Sequence, residues 1–264
     1  MKKLLVVGNW KMNLNSSQAS HLAHELQTKI KLHRDIEVVL APSMLSLQPL
    51  SVQIDRRKFG LAAQDAYFKD EGAYTGEVSF TMLQDLVNYV IIGHSERRLY
   101  FNESLDLIRD KVAACVRNEI TPLLCVGETN QERHNGEARQ VLHDQIITGL
   151  SNLTDREVGD MVIAYEPVWA ISTFGGELAK PDDMQKQFIF IRKQVSELYG
   201  TKASESLRLL YGGSVDDQSV TSYLNLKDCD GVLVGGASLN AHKFSGIVNK
   251  ADKIIHKKSK SSDE

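Results

Sequence analysis

The sequence predicts an α/β fold: a single-domain (β/α)8 barrel with eight parallel strands. Three observations predict it. Short apolar runs recur along the 264 residues, at positions 4–8, 36–41, 59–63, 89–93, 121–126, 161–166, 207–211 and 231–234. They are nearly continuously apolar, as strands covered on both faces must be. Stretches of helical period with polar caps lie between them, so helix follows strand. Finally, Gly8-Asn9-Trp10-Lys11 stands after the first run where an open, doubly wound sheet would carry its Gly-x-Gly-x-x-Gly turn. Strict alternation implies right-handed crossovers between parallel strands, and eight such units close into a barrel of about 250 residues. Residues 1–255 are assigned to the barrel and residues 256–264 to a polar, mobile tail.

Taken in order, the elements bear this out. Lys2-Lys3 precede Leu4-Leu5-Val6-Val7, but the apolar run stops at Gly8, too early for a secretory core or a membrane span. It reads as a buried first strand. Ser16 or Ser17 can cap the helix that follows, in which Leu22, Leu26 and Ile30 fall four apart on one face. Between the fourth and fifth runs Leu105, Ile108, Val112 and Cys115 repeat that period. The chain closes on His256-Lys257-Lys258-Ser259-Lys260-Ser261-Ser262-Asp263-Glu264, which has no apolar residue to dock.

Composition narrows the function classes. With 42% hydrophobic and 25% charged residues the chain can bury a large core. A net charge of −3, with basic residues scattered, gives no field for nucleic acid. An anionic ligand must therefore be held locally. Cys115, Cys125 and Cys229 show no metal-ligand spacing, and their odd number argues against a disulfide framework. Free thiols in a reducing cytoplasm are the simple reading, with neither metal nor cofactor expected and no membrane partner.

In a barrel the chemistry lies in the loops beyond the C-terminal strand ends. Those ends carry Asn9 and Lys11 after the first strand, His94, Ser95 and Glu96 after the fourth, and Glu166 closing the sixth. Gly212-Gly213-Ser214 follows the seventh strand and Gly235-Gly236-Ala237-Ser238 the eighth. Taken singly, each has an ordinary structural reading: a loop histidine, a solvated glutamate, a tight turn. Together they would converge on one mouth. Two Gly-Gly turns on the last two strands let backbone N–H groups cradle a phosphate, which suggests a phosphorylated small molecule. Pro167 restricts Glu166 to extended geometry, so its carboxylate leaves a stiff position suited to a general base. His94 and Lys11 could supply hydrogen-bond donation and charge where an oxyanion develops.

The blocks Asn9-Trp10-Lys11-Met12-Asn13, Ala73-Tyr74-Thr75-Gly76-Glu77, Gly93-His94-Ser95-Glu96-Arg97-Arg98, Cys125-Val126-Gly127-Glu128, Ala164-Tyr165-Glu166-Pro167-Val168-Trp169-Ala170-Ile171, Tyr211-Gly212-Gly213-Ser214-Val215 and Gly231-Val232-Leu233-Val234-Gly235-Gly236-Ala237-Ser238-Leu239 resemble those of the triosephosphate isomerase family. They stand in order along nearly the whole chain. The resemblance implies a cofactor-free interconversion of dihydroxyacetone phosphate and D-glyceraldehyde 3-phosphate through an enediol(ate). It makes Glu166 the base and His94 a neutral acid that polarises the carbonyl, this family being the usual example of such pKa matching. Lys11 would meet the developing oxyanion and the phosphate, with Asn9 bonding near the carbonyl. Glu96 would be a second carboxylate beside Lys11, by direct chemistry or as an ion-pair partner. Ser214, Gly235 and Gly236 match phosphate-binding positions, Glu128 and Arg133 would position the lid near Trp169, and Cys125 would pack. Thr75 lies on a loop that, in the family, inserts beside a second subunit's active site, which implies a homodimer.

The lid departs from the family. Ser172-Thr173-Phe174-Gly175-Gly176-Glu177-Leu178-Ala179-Lys180-Pro181 stands where the family reads Gly-Thr-Gly and a shorter path to proline, a stretch longer by about two residues. Ser172 takes the place of a glycine whose N–H meets the phosphate. Two alternatives use the same cradle: a barrel enzyme on a related sugar phosphate, and a catalytically silent phosphate-binding dimer. The joint presence of Asn9, Lys11, His94 and Glu166 speaks against the silent protein.

Overall fold

A computed structural model describes residues 2–31, 33–171, 173–174 and 178–260. Eight strands, β1 (Leu4–Asn9), β2 (Ile36–Ala41), β3 (Phe59–Ala63), β4 (Tyr89–Ile92), β5 (Thr121–Val126), β6 (Val162–Tyr165), β7 (Arg208–Tyr211) and β8 (Gly231–Val234), follow one another around a closed barrel. Every pairing is parallel, and β1 closes on β8 through Leu5↔Gly231 to Gly8↔Val234. Each apolar run of the sequence is a strand, with ends shifted by at most one residue.

The alternation of side chains explains why the runs are apolar throughout. Leu5, Val7, Val39, Ile91, Leu123, Cys125, Val162 and Leu233 belong to one buried cluster inside the barrel. Their neighbours Val6, Val38, Val90, Leu124, Ile163 and Val232 belong to a second, which packs against the surrounding helices. Both faces are covered, and each fully buried Leu, Ile or Val contributes about 1.5–3 kcal/mol. The seam has a steric requirement of its own. A Cβ on Gly231 would lie 1.9 Å from the Leu5 carbonyl oxygen, so only glycine lets β8 meet β1.

The first helix, Ser16–Lys29, is capped by Asn15 rather than by Ser16 or Ser17. Asn15 and Gln18 exchange side-chain and backbone hydrogen bonds at 3.0 Å in a capping box, which only a residue three before Gln18 can form. Leu22, Leu26 and Ile30 are buried as their spacing requires, as are Ile108, Val112 and Cys115 of the helix Leu105–Arg117, while Leu105 is half-buried. The last helix, Ala241–Lys260, runs past residue 255; the final residues of the tail, 261–264, lie outside the described residues. Among the described residues no helix is long and apolar enough to cross a membrane.

Candidate active site

The C-terminal ends of the strands surround a cavity of about 420 Å³, within the ordinary range for small-molecule sites. Asn9, Lys11, His94, Glu166, Ser214, Gly235 and Gly236 all line it. Glu96 reaches it through Lys11: the Lys11 Nζ donates to Glu96 Oε1 at 2.5 Å. Ser172 and residues 175–177 of the lid lie outside the described residues.

Lys11 follows β1 with φ 52, a left-handed conformation that costs a non-glycine residue about 1 kcal/mol or more. Two side chains fasten it. Asn9 Oδ1 accepts from the Lys11 N–H at 3.0 Å, and Gln64 Nε2 donates to the Lys11 carbonyl at 2.8 Å and to that of Ala41 at 2.9 Å. Gln64 therefore ties the turn after β1 to the end of β2.

His94 caps the short helix Ser95–Tyr100, its Nδ1 accepting from the Glu96 N–H at 3.2 Å. A nitrogen that accepts carries no proton, so this bond describes a neutral ring with its hydrogen on Nε2. Nε2 stands 3.2 Å from Glu166 Oε1. The Glu166 carboxylate is 0% exposed, and its Oε2 accepts from the Ser95 N–H at 3.1 Å. Among the described residues Oε1 has no hydrogen-bond partner, so one oxygen is anchored and the other is unsatisfied.

Glycines make room for Glu166, one beside its backbone and one beside its side chain. A Cβ on Gly127 would fall 1.8 Å from the Glu166 carbonyl oxygen, and one on Gly212 would fall 2.7 Å from Glu166 Cγ. Arg98 holds the neighbouring strand ends together, donating to the carbonyls of Gly93 at 2.7 Å, Cys125 at 2.8 Å and Gly127 at 3.0 Å. Cys125 lies buried beside the site. Burial, reinforced by the nearby Glu166 charge, pushes its thiol well above the ordinary range and leaves it unsuited as a nucleophile.

The stretch after Glu166 is anchored from β5. Glu128 accepts from Trp169 Nε1 at 2.8 Å and from the Tyr165 hydroxyl at 3.0 and 3.1 Å, while the Arg133 guanidinium lies 3.7 Å from the Trp169 ring centre. Burial raises the Glu128 carboxyl pKa, opposed by these donors. Phe174 rests on Tyr100 with ring centres 5.6 Å apart, and the Thr173 hydroxyl donates to Glu96 Oε1 at 3.5 Å.

Four residues with a part in this site escape the sequence reading. Gln64 acts on the Lys11 backbone, Arg98 acts on strand-end carbonyls, and Asp216 and Lys243 line the cavity beyond the glycine turns. Only a position after a strand end, as for Gln64, could have flagged any of them. Thr75 is exposed on the loop between β3 and the helix Phe80–Leu83, a loop closed at its base by the Tyr67 N–H donating to the Val78 carbonyl at 2.8 Å. Among the described residues no group of three or more His, Cys, Asp or Glu is placed to hold a metal ion.

A family model described as triosephosphate isomerase matches residues 4–251. Among curated relatives, the triosephosphate isomerase of Clostridium tetani (strain Massachusetts / E88) is 42% identical over 250 residues, 94% of this chain and 97% of the relative. That of Geotalea uraniireducens (strain Rf4) is 43% identical over 249 residues, 94% of this chain and 98% of the relative. That of Chloroherpeton thalassium (strain ATCC 35110 / GB-78) is 42% identical over 257 residues, 96% of this chain and all of the relative.

Proposed function

The chain belongs to the triosephosphate isomerase family, and on that premise we propose that it interconverts dihydroxyacetone phosphate and D-glyceraldehyde 3-phosphate through an enediol(ate). The observation that carries the reading is the pairing of a wholly buried carboxylate oxygen, Glu166 Oε1, with His94 Nε2 at 3.2 Å in a cavity that also holds Lys11 and the Gly235-Gly236 turn. A carboxylate with one anchored and one unsatisfied oxygen can take the proton next to the substrate carbonyl and return it to the adjacent carbon. The Nε2–H of a neutral imidazole polarises that carbonyl and passes protons between the two oxygens of the enediol. Imidazole matches an enediol in proton affinity better than imidazolium does.

Lys11 supplies fixed positive charge to the oxyanion and the phosphate, and Asn9 both bonds near the carbonyl and braces Lys11. Glu96 is assigned as the counter-ion that holds Lys11 in place, with direct chemistry not required. Ser214 and the N–H groups of Gly235 and Gly236 receive the phosphate, joined by Ser172 when the lid closes. All of these steps use side chains and backbone of this chain.

The working form is proposed to be a homodimer in the cytoplasm. Thr75 and Tyr74 stand exposed on a projecting loop, and Met12 beside the catalytic lysine is 96% exposed, an apolar side chain in want of cover. A coupled assay in both directions, with inorganic phosphate as competitor, tests the activity. Turnover of both trioses, inhibited competitively by phosphate, is expected; binding of phosphate without turnover would leave only a phosphate-binding protein.

A further inference from the structure

The cavity has a second lysine that the proposed chemistry does not use. Lys243 lies in the first turn of the helix Ala241–Lys260, just beyond the Gly235-Gly236 turn, and lines the same cavity as Lys11. Its place is fixed by the backbone, since Asn240 Oδ1 accepts from the Lys243 N–H at 3.0 Å and Asn240 also lines the cavity. Both lysines line the cavity that the glycine turn opens onto. A Cβ on Gly235 would stand 3.6 Å from Lys11 Cε, so Lys11 borders the turn, and the helix start bearing Lys243 follows the turn in the chain and lines the same cavity.

The two cations are in opposite electrostatic situations. Lys11 is largely covered and spends its charge on Glu96 at 2.5 Å. Lys243 is exposed, and no carboxylate among the described residues comes within ion-pairing distance of it. Besides Glu166, the one carboxylate among the described cavity-lining residues is Asp216, which would repel a phosphate arriving at this end. Asp216 is engaged by the N–H groups of Gln218 and Ser219, both at 2.9 Å, and by the Ser219 hydroxyl at 3.0 Å. Lys243 is near enough to feel its charge without being consumed by it.

We infer that Lys243 is a capture residue for the substrate's phosphate, a rim cation that offsets Asp216 and draws the dianion toward the Gly235-Gly236 cradle before Lys11 engages it. This rests on the isomerase reading for its substrate, but the role itself requires only a phosphate-bearing ligand. An exposed charge at a cavity mouth acts on the rate of encounter, and its influence extends about one Debye length, roughly 10 Å at 0.1 M salt. Lys243 therefore governs kcat/KM at low ionic strength and leaves kcat alone.

The test compares K243E and K243Q with K253E, which makes the same charge change at an exposed position of the same helix outside the cavity lining. At low ionic strength K243E is expected to lower kcat/KM about tenfold and K243Q about threefold. Above about 0.3 M salt each is expected to return to within about twofold of the parent. K253E should stay within about twofold throughout. Thermal melting checks folding, and K243Q carries the test if K243E does not fold.

Binding of inorganic phosphate, followed by calorimetry over the same salt series, gives a readout independent of turnover. Were the parent protein to bind phosphate but not isomerise, the isomerase reading would fail while weaker phosphate binding by K243Q at low salt would still support the capture role. Equal losses in K243E and K253E, losses independent of salt, or unchanged phosphate affinity and salt slope in K243Q would each overturn it.

Discussion

At the N-terminal end of the barrel, Tyr89, Arg208 and Glu37 form a closed set of hydrogen bonds. The Tyr89 hydroxyl donates to Glu37 Oε1 at 2.7 Å, and Arg208 donates to Glu37 Oε2 at 2.8 Å and to the Tyr89 oxygen at 2.6 Å. Burial pushes the Tyr89 hydroxyl further from ionisation, so the set stays as it is. At the C-terminal end, Glu166 keeps one oxygen without a hydrogen-bond partner among the described residues, Lys11 holds a left-handed backbone, and His94 Nε2 stands 3.2 Å from that Glu166 oxygen. The two ends belong to one barrel, and both carry charged side chains. What separates them is satisfaction: the groups of the first cluster bond one another, whereas in the second a buried Glu166 oxygen has no hydrogen-bond partner among the described residues. That contrast says where stability is gained and where it is given up for chemistry.

Breaking the C-terminal end should produce the largest effects. Glu166→Gln is expected to lower kcat about 10³-fold without loss of folding, and Glu166→Asp, which retracts the carboxylate, roughly a hundredfold with little change in KM. Steady-state kinetics beside a melting curve would check both. If Glu166→Asp kept parental turnover and altered only apparent affinity, Glu166 would not be the base. Next comes Lys11→Ala, expected to cost about a hundredfold in kcat/KM and to weaken inhibition by inorganic phosphate, because it removes a local positive charge that a chain of net charge −3 does not replace. Undiminished phosphate inhibition would count against its placement.

The N-terminal cluster should answer in the opposite way. Arg208→Leu leaves Glu37 and Tyr89 short of a partner and is expected to cost about 1–3 kcal/mol of unfolding free energy in denaturant titration, with kcat within about twofold of the parent. Loss of turnover in a folded Arg208→Leu protein would erase the distinction between the ends. The smallest effect is expected from Thr75→Glu, outside both clusters. A charge on the projecting loop should weaken self-association and lower activity with it, seen by sedimentation and assay on one sample. A monomer of full activity at assay concentration would dispose of the dimer reading.

The contrast between the ends also marks what the sequence makes legible. The barrel can be read because its strands are apolar on both faces, a pattern carried by each run on its own, and its mouth can be read because Asn9, Lys11, His94 and Glu166 sit at strand ends. The closure at Gly231 against the Leu5 carbonyl and the space that Gly127 and Gly212 leave for Glu166 cannot be read. They are distances between backbones far apart in the chain. Gln64 and Arg98 escape for the same reason: they act on carbonyls, which carry no residue identity. The cap at Asn15 is ambiguous for a more local reason: Ser16 and Ser17 beside it offer the same chemistry, and only the partner Gln18 decides among them. Ser172, the least familiar member of the phosphate set, lies outside the described residues, and its part in binding stays with the proposed function.

The proposed function has Glu166 move a proton between two carbons at the unsatisfied end of the barrel. Running the isomerisation in D2O and locating the label by NMR tests it most directly. The proton held on Glu166 is a carboxyl O–H, which exchanges with D2O in those turnovers where exchange outruns its return, so part of the product should carry deuterium at the carbon next to the carbonyl, in both reaction directions. The label should fall with the rate in Glu166→Gln and persist in Arg208→Leu. Isomerisation at the parental rate in Glu166→Gln, or label entering undiminished there, would contradict a role for Glu166 as the base.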